Sequence, residues 1–157
     1  MNPIIQLALI ISMWGIQIFM YTRNSAWFWG LVKPSSYPKE RNLECIGATL
    51  VIDKLVSASL VFLSGYQGNM ILVNETLIFI LNIFMFGFHE MLIAAIITSV
   101  YLVCSLYTLV IYFNYNVISG MLMIPNSIWS AYAAYSGFYM AYMNRVIPTR
   151  KFHQDIV

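Results

Sequence analysis

Asp53 and Lys54 stand side by side near the middle of an apolar run, and Glu75 is the next charge along the chain. An ionised side chain at the centre of a membrane helix costs about 2.5–3.5 kcal/mol on insertion scales. Such residues therefore face a bundle interior, pair with one another, or mark a path or a site. Neighbouring positions on a helix diverge by about 100°, so Asp53 and Lys54 need not pair. Lys54 can reach Glu75 on an adjacent segment or hold an anionic group of a ligand. Alternatively, Asp53 neutralises it while its stem snorkels toward the interface. Asn82 lies deep in the following apolar run. It suits an interhelical hydrogen bond, worth about 0.6–2 kcal/mol, or a ligand contact in a cavity.

The usual catalytic templates are missing from the sequence. His89 and His153 lie far apart, no His, Cys and carboxylate group has metal-ligand spacing, and there is no phosphate-binding glycine loop or nucleophile elbow. An enzyme is therefore the less expected class. Cys45 and Cys104 lie in apolar runs and read as small apolar residues, with no disulfide implied. The eight Lys and Arg residues are too few and too scattered for nucleic-acid binding. Asn74-Glu75-Thr76 has the glycosylation pattern, but it sits at the start of an apolar segment and reads as chance.

The elements that must position these residues follow from composition. Of 157 residues, 61% are hydrophobic and 9% charged, against about 25% charged in a soluble domain, and mean hydropathy is +0.75. This is an all-α integral membrane protein, a single domain spanning residues 1–157. Long apolar runs without period-two alternation favour helices over a membrane β-barrel. Five transmembrane helices are expected, at about 3–21, 43–63, 70–88, 91–113 and 118–143, with a connector over 22–42. The Met-Asn-Pro start reads as the beginning of a retained first span. The connector carries Arg23, Lys33, Lys39 and Arg41, and the tail Arg145, Arg150 and Lys151, whereas the other loops carry no Lys or Arg. The positive-inside rule then puts the N-terminus outside and the C-terminus in the cytoplasm.

The connector includes Trp27-Phe-Trp-Gly-Leu-Val-Lys33-Pro34-Ser-Ser-Tyr-Pro38. Its prolines favour a stiff, extended path, and its aromatics suit an interfacial anchor or a cover over a cavity. In the fifth segment Trp129, Tyr132, Tyr135, Tyr139 and Tyr142 fall largely on one stripe. Ala133, Gly137 and Ala141 form a second, small-residue stripe suited to close helix packing.

The Trp27–Pro38 stretch resembles the signature W-[YF]-x-x-L-x-K-P-x-W-x-P-P of the translocator protein / tryptophan-rich sensory protein family, formerly the peripheral-type benzodiazepine receptors. Trp27, Phe28, Leu31, Lys33, Pro34 and Pro38 match it. Pro125-Asn-Ser-Ile-Trp129-Ser-Ala131-Tyr132-Ala133 is similar to the family's P-Y-x-A-W-x-x-[FY]-A, and Leu81-Asn82 to the L-N of its third helix. Ser36, Lys39, Gly47, Asp53-Lys54, Ile97 and Gly137 depart from the family pattern; Ser36 and Gly47 stand where it has tryptophans.

The resemblance implies a five-helix bundle with a cavity between the helices, covered by the first connector and open toward the cytoplasmic side. It implies a hydrophobic ligand, a porphyrin, haem or a sterol, with no cofactor obligatory. It also implies a homodimer among membrane lipids, acting as sensor, carrier or regulator. Carried over by position, the ligand-binding residues are Trp27, Lys33, Pro34 and Pro38 of the lid, Trp129, Tyr132 and Ala133 of the wall, and Asn82. Lys33 or Lys54 is the cation expected to meet a porphyrin carboxylate. The alternatives are a porphyrin-degrading membrane enzyme, weakened by the loss of two tryptophans, and an interaction protein that kept the fold and lost the ligand. The expected location is a mitochondrial outer membrane, a bacterial cell envelope or a viral host's membrane, according to source.

Overall fold

The computed structural model describes residues 3–66 and 68–146. Of the expected basic tail, Arg150 and Lys151 lie outside the described residues. Five helices follow one another: α1 (Pro3–Trp29), α2 (Glu40–Leu63), α3 (Met70–Asn82), α4 (Met91–Tyr115) and α5 (Val117–Val146). A π-turn, Ile83–Gly87, continues α3, and no strand occurs among the described residues. By length and composition α2, the Met70–Gly87 run and α4 are each able to cross a membrane.

The helix ends have identifiable causes. α1 runs eight residues past the end expected at Tyr21. No Gly or Pro falls between Tyr21 and Gly30. The polar residues Thr22 and Asn24 bond back to the carbonyls of Phe19 and Met20 at 3.0 and 3.1 Å. They stay within the helix instead of leaving it. The connector therefore shrinks to 30–39, and Trp27, Phe28 and Trp29 form the last turn of α1. In the α3–α4 break, His89 takes a left-handed φ of 58°. α4 and α5 are linked by Asn116 alone, whose side-chain oxygen accepts from Ser119 N at 3.1 Å and caps α5.

The interior mixes small polar side chains with apolar ones, and the outside is apolar, as suits helices packed in lipid. Ser57, Ser105, Ser119, Ser130 and Ser136 are buried, while Ile18, Val103 and Ile128 are about two-thirds exposed. The α4–α5 pair is the most extensive; α2 packs on α5, α3 on α4, and α1 on α3 and the π-turn. α1 and α2, although consecutive, pack on different partners. Gly137 allows the α4–α5 approach, since a Cβ there would lie 3.1 Å from the Ala95 Cβ. Two buried clusters close the ends of the bundle. Phe28, Phe86, Met91, Met140 and Ala141 lie at the connector end, and Val61, Tyr112 and Met123 at the other.

Candidate ligand cavity

A cavity of about 400 Å³ lies between the helices, and all five contribute to its wall. This is within the range of small-molecule sites, about 300–1,000 Å³. Leu50, Val51, Ile78 and Leu81 form much of its apolar surface, and Trp14, Tyr101 and Trp129 its aromatic surface. Gly47 widens it on the α2 side, because nothing lies within 4 Å of where its Cβ would be.

Lys54 and Glu75 both line the cavity and form a buried ion pair. Of the three partners the sequence allowed for Lys54, the fold supplies Glu75. The second carboxylate oxygen of Glu75 accepts from Trp14 Nε1 at 2.7 Å. One carboxylate thus ties α1, α2 and α3 together through charge-assisted bonds. Asp53 is half-buried, does not line the cavity, and pairs with no described residue. Asn74, buried, donates to Thr108 Oγ1 at 3.0 Å, which is no place for a glycan.

A second polar patch comes from α4 and α5. Asn126 donates to Tyr101 OH at 2.9 Å and to Ser105 Oγ at 3.1 Å, and Ser105 and Ser127 hydroxyls bond at 3.0 Å. Asn82 does not line the cavity. It donates to Gln17 Oε1 at 2.9 Å, and Gln17 does line it. The other end of that amide, Gln17 Nε2, is buried without a partner among the described residues.

Trp129 and Ala133 lie on the wall. Tyr132 turns instead to the connector, stacking on Tyr37 at 6.2 Å with its hydroxyl 3.3 Å from Ser36 Oγ. The small-residue stripe serves three ends: Ala133 lines the cavity, Gly137 meets Ala95, and Ala141 joins the cluster around Phe28. The connector is held firmly. Val32 N donates to Asn144 Oδ1 at 3.1 Å and Asn144 Nδ2 returns a bond to Val32 O at 3.2 Å. This brings the connector and the end of α5 to one end of the bundle. Pro34 is buried and Pro38 half-buried. Trp27 stacks on His89 at 4.1 Å, pinning α1 to the α3–α4 break.

Lys33 does not line this cavity. It donates to the carbonyls of Phe28 and Leu31 at the end of α1 and lies 4.8 and 4.9 Å from the Phe28 and Trp29 ring centres, where carbonyls and ring faces both favour a cation. Burial nevertheless pulls its ammonium down to about 8. Burial, and less strongly Tyr132, push the Tyr37 phenol up. For Lys33 the sign is set by the unfolded chain, which holds the proton up to about pH 10.4. Stability from this group is therefore full above that value and is lost as pH falls through about 8. Wild-type protein is expected to gain thermal stability between pH 8 and 10.4 relative to Lys33→Met, as melting curves across that window will read. Parallel curves would refute it.

Trp14 and Gln17 carry no signal as single residues in an uncharged segment. Their spacing of three puts them on one face of α1, the face that meets Glu75 and Asn82. Residues 4–143 match the model of the TspO/MBR family. No match was found among curated proteins.

Proposed function

This chain belongs to the TspO/MBR family, and we propose that it binds a hydrophobic small molecule in the cavity between its helices, as a sensor, carrier or regulator. It is an integral membrane protein of that family. The ligand classes in view are tetrapyrroles and sterols. In this reading all five helices span the membrane, with the N-terminus outside and the first connector on the cytoplasmic side. The observation that carries the reading is the cavity itself: an apolar and aromatic wall with few polar groups, drawn from every helix. Tyr37 and Ser36 of the connector reach Tyr132, one residue before the wall residue Ala133, which suits a cover.

Gly47 supplies the test. A Cβ there meets nothing within 4 Å, so a tryptophan can be introduced without a clash at its root and adds a large ring to the α2 side of the cavity. Gly47→Trp is expected to melt within a few degrees of wild type but to bind any cavity ligand at least tenfold more weakly. Ligands are tested by thermal shift and by quenching of tryptophan fluorescence, since Trp14 and Trp129 line the cavity. A panel of sterols and tetrapyrroles that neither shifts the melting temperature nor quenches would overturn the proposal. So would ligands that bind wild type and Gly47→Trp alike.

A further inference from the structure

We propose that the cavity selects an uncharged ligand, an apolar body with one hydrogen-bond acceptor, over a carboxylate-bearing one, because Glu75 already neutralises its lysine. The inference rests on the reading that this cavity binds a small molecule, and it names the chemical class.

Lys54 is the one Lys or Arg on the cavity wall among the described residues. It is 6% exposed and its ammonium is engaged by Glu75, itself 2% exposed. A ligand carboxylate entering here would compete with Glu75 for a single ammonium, and whichever anion lost would be buried without a counter-charge. The other cation that could meet a ligand acid, Lys33, is turned onto the carbonyls closing α1. Arg23, Lys39, Arg41 and Arg145 are exposed and off the cavity wall. Both oxygens of Glu75 are engaged, one by Lys54 and the other by Trp14. The site is thus electrically closed: it has no net charge to offer an acid or a base.

What remains unsatisfied is neutral. Gln17 Nε2 is a buried donor without an acceptor, on a residue of the cavity wall. A buried polar group without a partner is rare and destabilising. An ester, ketone or other neutral acceptor on an apolar ligand would complete it without adding charge. Asn82 holds the other end of that amide.

The test uses one macrocycle in three charge states: protoporphyrin, its monomethyl ester and its dimethyl ester. Each is titrated into the full chain in detergent by tryptophan quenching, and affinities are referred to partition into protein-free micelles. The expected order is diester tightest, then monoester, then diacid, with at least tenfold between the extremes. In Glu75→Gln, Lys54 keeps its charge without a counter-ion, and the preference is expected to move from the diester to the monoester, whose one carboxylate matches the one ammonium. Gln17→Leu is expected to weaken diester binding several-fold.

Equal affinities, or a tighter diacid, in the wild-type chain would overturn the inference while leaving the cavity reading intact. An unchanged order in Glu75→Gln would also overturn it. If none of the three binds and no sterol does, the cavity reading itself fails and the inference with it. Should Glu75→Gln not fold, the wild-type order decides alone.

Discussion

Glu75→Leu is expected to destabilise the protein by about 3–5 kcal/mol, the usual loss when one partner of a buried ion pair is removed. An exposed pair would lose about 0–1 kcal/mol. The larger figure applies because Lys54 and Glu75 are both almost fully buried. The substitution strands the Lys54 ammonium inside the bundle and frees the Trp14 N–H, which donates to the same carboxylate. Lys54→Met is expected to lose less, because Glu75 would still hold the Trp14 bond. The double variant Lys54→Met/Glu75→Leu removes both charges and is expected to recover most of the loss, or to exceed wild type. Thermal melts in detergent across this cycle measure the coupling directly. A Glu75→Leu protein that melts with wild type would show that the pair does not form.

Gly137→Leu is the second large effect. A Cβ at Gly137 would already stand 3.1 Å from the Ala95 Cβ and 3.3 Å from its Cα. The obstacle is helix backbone and a methyl group, neither of which can swing aside. Four extra carbons must then push α5 off α4, the most extensive pairing in the bundle. Overpacking of this kind costs about 1–3 kcal/mol, occasionally more. The Tyr101, Ser105 and Asn126 bonds span the same interface and would lengthen with it. Gly15→Leu is the control: nothing lies within 4 Å of its Cβ, so it is expected to leave the melting temperature nearly unchanged. Equal melting of the two variants would contradict the packing described above.

The helices were legible because lipid imposes a simple rule, that long apolar runs must satisfy their own backbone. The wall positions Trp129 and Ala133 came from a local motif, whereas the energetic penalty of a lone buried charge left Lys54 three possible partners, among which the fold supplies Glu75. The helix α1 outlasts the span expected at 3–21 for a local reason. Thr22, Arg23, Asn24 and Ser25 look like an exit from the membrane, yet Thr22 and Asn24 turn their polarity back onto the helix itself. Trp14, Gln17 and Asn144 were invisible for another reason. Their partners lie 61, 65 and 112 residues away in the chain, and periodicity fixes a face without fixing its register against another helix. Lys33 shows the same limit. Its place in the motif suggested a ligand contact, whereas its ammonium closes the end of its own helix.

The partner choice of α2 bears on how the chain is put together in time. α2 rests chiefly on α5, the last described helix to leave a ribosome, whereas α1 rests on α3. During synthesis, domains and segments engage from the N-terminal end, so α1 and α3 meet while the main partner of α2 does not yet exist. Until then α2 has its ionic tie to α3 and a small contact with α4. The Lys54–Glu75 pair is thus the bond available early enough to hold α2 in register through that wait. The cavity comes into being only when Trp129, Ser130 and Ala133 arrive on α5. A nascent chain halted before Asn126 would therefore lack the α5 wall of this cavity.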